Sequence, residues 1–353
     1  MHNDIINCLI EADYDQVSKK MRRAAYLRAL YPPSGVRYKI EVGKSYPSRI
    51  SHYSADPLSV FLAAIRFLTE PASLTSEVDA DIQHIFFWKR GKKDIPAIME
   101  NDQSLSQFLS GYLKVQGGLK EMMRSMFLSI SRVNKVKAII VWSEWAKKGF
   151  ERDGFPADMI KVIPPPVTAN NYTKNYDSQR ILFVGRDFRR KGGDIALKAF
   201  IKIAKEFDKA ELFYVGSVGD DELLRVAMKT GRFKHYQNPS DEMLYGIIFP
   251  ESDIFLLPTR SEAFAISIIE AMSYSLPVVV SNLASIKENV VDGYNGVIVD
   301  DDVEGYVEAL SSLLENKRRR KTMGLKGLEL VKSKFDPEKV GQELRKVYVD
   351  ALG

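Results

Sequence analysis

Cysteine is nearly absent from this 353-residue chain. Cys8 stands alone, so no internal disulfide can form, which fits a reducing compartment. Long apolar runs are missing too. Nothing approaches the roughly 18 residues that a membrane span needs, and the longest candidate, residues 60–68, is interrupted by Arg66. The opening MHNDIINCLI puts Asp4 where a signal peptide needs positive charge, and its apolar stretch is short. The expectation is therefore a cytoplasmic protein. The four histidines are scattered, and no clustered His/Asp ligand set stands out, so no metal is expected. Repeats and low-complexity segments are absent. No G-x-G-x-x-G follows any predicted strand, which weighs against a dinucleotide oxidoreductase.

What is present suggests two globular domains, at about 150 residues each. In the second half, apolar runs of strand length at 181–184, 212–215, 254–257, 277–280 and 297–299 alternate with helical patterns at 194–206, 241–248 and 266–274. Such alternation implies a parallel sheet covered on both faces. Helices at 303–314, 318–332 and 337–351 close the chain. The first half alternates less clearly, with strands expected at 5–10, 36–42, 82–87, 95–99 and 138–142, and helices at 16–30, 57–68, 119–134 and 144–152. The fold class is thus α/β, with two doubly wound Rossmann-like domains. Pro164-Pro165-Pro166 cannot continue a strand or helix and marks the junction. The domains are read as 1–166 and 167–335, with 336–353 a final helix that could return to the first.

Two segments carry candidate chemistry. In the first, Glu262 precedes a helix expected to begin near Phe264, and Glu270 lies about two turns inside it. The N–H groups of Phe264, Ala265 and Ile266 at such a start form an anion site. One carboxylate before that site and one beside it suit a ligand with hydroxyls on both sides of a phosphate. Ordinary solvated glutamates at a helix start explain the spacing as well. In the second, the strand ending at Val184 leads into Gly185-Arg186-Asp187 and Lys191-Gly192-Gly193. Ligands bind at the carboxyl ends of such strands, where Arg186 and Lys191 could neutralise a diphosphate. A basic surface loop with turn glycines is the plainer alternative.

Together, Gly185-Arg186…Lys191-Gly192, Glu262…Glu270, Leu276-Pro277-Val278-Val279 and the run from Glu288 to Gly296 resemble the retaining glycosyltransferases of family 4, which have the two-domain GT-B fold with domains facing across a cleft. The resemblance is strongest over 138–353. It implies a hexose-type sugar moved from a nucleotide-sugar donor, UDP- or GDP-linked, to a glycan or lipid-linked acceptor, without a metal or other cofactor. Arg186 and Lys191 would hold the diphosphate and stabilise its charge as it leaves. Glu262 would bind donor-sugar hydroxyls and Glu270 the ribose. Phe264, Ala265 and Ile266 would offer backbone amides, Gly216 would line the cleft, and a loop at Lys234-His235-Tyr236 would meet the base. Front-face attack, with the departing phosphate helping to take the acceptor's proton, is implied as well.

The first domain departs from that family. Its usual Gly-Gly loop corresponds to Glu11-Ala12-Asp13-Tyr14-Asp15, and Asn101 replaces a usual histidine; in the second domain, Ala265 stands where glycine is usual. These departures keep a second reading open: a non-catalytic nucleotide-sugar-binding partner subunit. The charge is also lopsided. Residues 1–168 hold 24 Lys and Arg against 18 acids, and the rest hold 27 against 28. Lys19, Lys20, Arg22 and Arg23, with Lys89, Arg90, Lys92 and Lys93, either keep the surface solvated or dock at an anionic membrane face. No nucleic-acid partner is expected.

Overall fold

In the computed structural model, the described residues are 5–15, 20–43, 79–87, 94–112, 117–118, 121, 124–125, 128, 135–170, 173–300 and 302–353. They divide into two compact units, 1–166 with 337–353 and 167–336.

The first unit is built on β1 (Ile6–Asp15), β2 (Lys20–Met21), α1 (Arg23–Leu30), β3 (Val36–Gly43), β4 (Ile82–Phe86), β5 (Ala97–Asn101), α2 (Leu105–Gly111), β6 (Val136–Val141), α3 (Glu144–Arg152) and β7 (Ile160–Val162). Its sheet runs β3-β1-β4-β5-β6-β7, all parallel, and β2 hooks antiparallel onto the end of β1. β4 and β5 are buried along their whole length, with polar Gln83, His84, Glu100 and Asn101 buried among their apolar residues, so neither strand shows the in/out alternation of a half-exposed one. α3 matches its expected bounds because Ser143 caps it, accepting from the Ala146 N–H at 3.1 Å.

Two expectations in this unit are corrected. Glu11–Asp15 is not a loop but the second half of β1, paired with β3 as far as Asp13 and with β2 at Tyr14 and Asp15. The alternation of acids with Ala12 and Tyr14 is a period-2 strand pattern. The helix expected over 16–30 is confined to Arg23–Leu30, since Lys20 and Met21 pair with β1. The helix expected at 57–68 and most of that at 119–134 lie outside the described residues, as do Lys19, Lys89, Arg90, Lys92 and Lys93.

The second unit contains β8 (Arg180–Val184), α4 (Gly193–Glu206), β9 (Glu211–Val215), α5 (Asp221–Lys229), β10 (Phe233–Tyr236), β11 (Ile254–Leu257), α6 (Ile266–Ser273), β12 (Val278–Ser281), β13 (Gly296–Val299), α7 (Val303–Glu315) and α8 (Lys317–Lys334). Its six parallel strands run β10-β9-β8-β11-β12-β13. Chain order reverses between β8 and β11, and ligands of doubly wound sheets bind in the crevice outside the strand ends at such a switch point. β11 and the first three residues of β12 are fully buried valine, isoleucine, leucine and phenylalanine. α4 covers the sheet with Ile195, Leu197, Phe200 and Ile203. Asp302 caps α7 by accepting from the Glu304 N–H at 3.2 Å.

Two features here were not legible, whereas the closing helix falls where it was expected and returns to the first unit. α5 and β10 went unpredicted, so Lys234-His235-Tyr236 is an edge strand rather than a loop, paired with Phe213–Val215 of β9. Between β10 and β11, the helical stretch Asp241–Glu251 contains a π turn over Leu244–Ile248, in which the Phe249 N–H reaches the Leu244 carbonyl. The closing helix α9 (Pro337–Leu352) packs Val340, Leu344, Val347 and Tyr348 into the core of the first unit, against Ile6, Cys8, Ile98 and Ile140.

Candidate functional site

The ends of β8 and β9 are joined by two glycines. The Gly185 N–H donates to the Val215 carbonyl at 2.8 Å. At Gly216, φ is +134°, and a Cβ there would lie 1.9 Å from the Gly185 carbonyl oxygen. No side chain fits, so the two strand ends approach backbone to backbone. Gly192, at φ +73°, opens α4 and is pressed against Pro258, where a Cβ would meet the carbonyl oxygen at 1.8 Å. These close approaches bring the loop after β8 against the loop after β11, on either side of the switch point.

Polar contacts lock the same two loops. The Arg190 carbonyl accepts from the Arg260 N–H at 2.8 Å and from the Thr259 hydroxyl at 3.0 Å, and Arg190 Nη1 donates to the Ser261 carbonyl at 3.1 Å. Buried Asp194 takes Arg260 at 2.8 and 3.0 Å and Arg189 at 2.9 Å. Burial alone would raise its pKa, but the guanidinium groups outweigh burial and hold it below the ordinary carboxylate range.

Within this frame Lys191 and Glu262 form an ion pair, and Arg190 Nη1 stands 3.6 Å from the same carboxylate oxygen. Burial works against the Glu262 charge, yet Lys191 and Arg190 prevail and keep its pKa low. Burial pulls the Lys191 pKa down, and Glu262 only partly opposes that pull. Arg186, in the same loop, is exposed. A carboxylate that stays ionised beside two cations can accept hydroxyl donors, while the cations remain available to an anion.

α6 begins at Ile266, where the helical pattern starts and two residues beyond Phe264. Ala265 is its N-cap, with φ 58° and ψ 64°, a left-handed conformation that a non-glycine residue holds at a cost of about 1 kcal/mol. Strain of this kind at a helix entrance is maintained by surrounding structure: Phe264 is buried edge-on to Phe335, at 6.2 Å between ring centroids. The first-turn N–H groups of α6, from Ile266 onwards, point outwards from the helix start. Glu270 is the fifth residue of α6, buried, and its Oε1 accepts from the Tyr245 hydroxyl at 2.9 Å.

The sequence-selected residues therefore fall into distinct places. Gly185, Arg186 and Lys191 sit at the end of β8, with Gly216 against Gly185. Glu262 pairs directly with Lys191, and Phe264, Ala265 and Ile266 form the helix entrance. Lys234 stands apart on the edge strand, its ammonium 5.0 Å from the Phe213 ring centroid. Its neighbour His235, also exposed, sets its Nε2 2.7 Å from the Gly216 carbonyl oxygen. Arg190, Asp194, Arg260 and Tyr245 escaped the sequence reading. The run Arg189-Arg190-Lys191 was a signal for the first, whereas nothing local marks Tyr245 as a partner of Glu270. Among the described residues, no group of three or more His, Cys, Asp or Glu could hold a metal ion.

In the first unit, Asn101 ends β5, fully buried, and neither atom of its side-chain amide meets a hydrogen-bond partner among the described residues. His84 is also fully buried, with Nδ1 2.5 Å from the Tyr348 hydroxyl and Nε2 2.8 Å from Glu100 Oε2. Arg28 forks onto Glu100 at 3.0–3.2 Å, and Trp142 donates to it at 2.6 Å. No helix among the described residues is long and apolar enough to cross a membrane.

Residues 168–329 match the family described as glycosyl transferases group 1. An uncharacterized glycosyltransferase of Methanocaldococcus jannaschii is 34% identical over 47% of each chain. Phosphatidyl-myo-inositol mannosyltransferase of Mycolicibacterium smegmatis is 28% identical over 50% of this chain and 46% of its own. The chain thus aligns with about half the length of these curated relatives. Among solved structures, sucrose-phosphate synthase from Thermosynechococcus elongatus superposes with a TM-score of 0.70 at 17% identity, covering 98% of both chains. Anabaena HepE, solved with UDP and glucose, gives 0.67 at 15% identity, over 98% of this chain and 99% of its own. At these identities the likeness establishes the fold, which is that of the GT-B glycosyltransferases: two doubly wound α/β domains.

Proposed function

We infer, from the membership of residues 168–329 in the glycosyl transferases group 1 family, that the protein transfers a hexose-type sugar from a nucleotide-sugar donor to a glycan or lipid-linked acceptor with retention of anomeric configuration. The observation that carries this reading is the Lys191–Glu262 pair beside the entrance of α6, at the switch point of the second sheet. A UDP- or GDP-linked donor suits it, and the solved relative that holds UDP and glucose lends support. The chemical demand is to stabilise a diphosphate as the anomeric bond breaks. Fixed cations and helix N–H groups aimed at that group act more strongly on the transition state than on the ground state. Lys191, Arg186 and the first turn of α6 supply them, while Glu262 accepts from donor-sugar hydroxyls and Glu270 from the ribose. The charge surplus of residues 1–168 supports an acceptor presented at an anionic membrane face.

Cations of the protein would do the work of a metal, so activity should survive EDTA undiminished; a strict demand for added Mg or Mn would overturn that part. Glu270→Ala tests the donor site. It removes a carboxylate that would take two charge-assisted hydrogen bonds, each worth about 1.5–3 kcal/mol. Titration calorimetry with UDP and GDP should show binding weakened at least ten-fold. An unchanged dissociation constant in a folded variant would remove Glu270 from the site.

A further inference from the structure

The Glu270 carboxylate accepts a hydrogen bond from outside its own helix. The donor is Tyr245, one partner of this carboxylate, 25 residues earlier, on the turn of the Asp241–Glu251 stretch that is wound as a π helix. Isolated π turns recur at functional sites, because the extra residue re-aims a side chain at the expense of regular backbone pairing. Here the Tyr274 hydroxyl donates to the Tyr245 carbonyl at 2.7 Å, so the distorted backbone has an outside partner. The ring is fixed as well. Tyr245 lies parallel to Phe249, at 5.6 Å and 4°, and Phe249 stacks in turn on Tyr274, at 5.2 Å and 16°. A chain of three stacked rings therefore aims one phenol at one carboxylate oxygen.

We propose that Tyr245 is a positioning residue for nucleotide recognition, fixing the Glu270 carboxylate in the orientation that receives the ribose hydroxyls. This rests on the donor-site reading given above. A glutamate has three side-chain torsions, and an unrestrained carboxylate loses that freedom when a ligand orders it. A carboxylate already held by Tyr245 has lost it during folding, so binding is tighter. The effect belongs to ligands that carry ribose hydroxyls and to no others.

The test uses the full chain and its Tyr245→Phe and Glu270→Ala variants, titrated with UDP, GDP and ADP and with their 2′,3′-dideoxy counterparts. Tyr245→Phe keeps the stacked ring and removes only the hydroxyl, and an unchanged melting temperature would verify its fold. The expected result is a three- to ten-fold loss of affinity, roughly the worth of one hydrogen bond, for the best-bound ribonucleotide, with dideoxy affinity unmoved. Glu270→Ala should lose more. If Glu270→Ala weakens ribonucleotide binding and Tyr245→Phe does not, the positioning role alone is wrong. If Tyr245→Phe weakens both ligand sets equally, the hydroxyl serves the fold and the proposal is again overturned. If the unaltered protein binds none of these nucleotides, or Glu270→Ala binds as it does, the donor-site reading fails and takes this one with it.

Discussion

Replacing Lys191 with alanine should lower kcat by about 10²–10³-fold, the usual cost of deleting one preorganised electrostatic group from a site that stabilises developing charge. The ammonium is held by Glu262 at the end of β8 and is mostly withdrawn from water, so little reorganisation is needed when the diphosphate departs. A second consequence must be separated from the first. Without Lys191, Glu262 keeps Arg190, 3.6 Å away, and the Ala263 backbone N–H, and a buried carboxylate with weakened pairing lowers stability. Lys191→Ala combined with Glu262→Gln removes that secondary effect, and melting temperatures of the single and double variants would reveal it. Steady-state kinetics decide the main point. A raised KM with unchanged kcat would mean that Lys191 binds donor and transition state equally, against the role assigned to it.

Arg28→Ala should destabilise the first unit by about 3–5 kcal/mol, the cost of breaking a buried ion pair on one side only. Glu100 has no exposed surface, and Arg28 grips both of its oxygens while Trp142 and His84 stand against it. Burial on its own would raise the Glu100 pKa; the guanidinium leads the groups that overcome burial and bring it from 4.5 to about 2. A depressed carboxylate contributes stability that is present above its unfolded value and lost as pH falls through its folded value. The window therefore runs from about pH 4.5 down to about pH 2, and the linked free energy is on the order of 3 kcal/mol. Urea unfolding at pH 7 and pH 3 checks both parts. The unaltered protein should lose stability on acidification, whereas Arg28→Ala starts lower and loses less, because its Glu100 gains by taking a proton. Equal midpoints for Arg28→Ala and the unaltered protein would show that the pair contributes nothing net.

The sequence by itself determined the class of both units and most of the second sheet. β11 and α3 fall on their expected residues, because a buried parallel strand is an unbroken apolar run and a capped amphipathic helix carries its own boundary. It also brought Lys191 and Glu262 forward as candidates. β10 was missed because an edge strand buries little and needs no such run: its Lys234 and His235 side chains are exposed to solvent. Only the tertiary structure decided which charges meet. Lys191 and Glu262 are 71 residues apart, Arg260 and Asp194 66, Arg28 and Glu100 72, and Tyr245 and Glu270 25. Periodicity reports which face of an element is apolar, over a few turns or residues. The pairing of a buried charge depends on strand order, on how closely two loops approach at Gly185, Gly192 and Gly216, and on a π turn that aims one phenol, none of which leaves a local pattern in the chain.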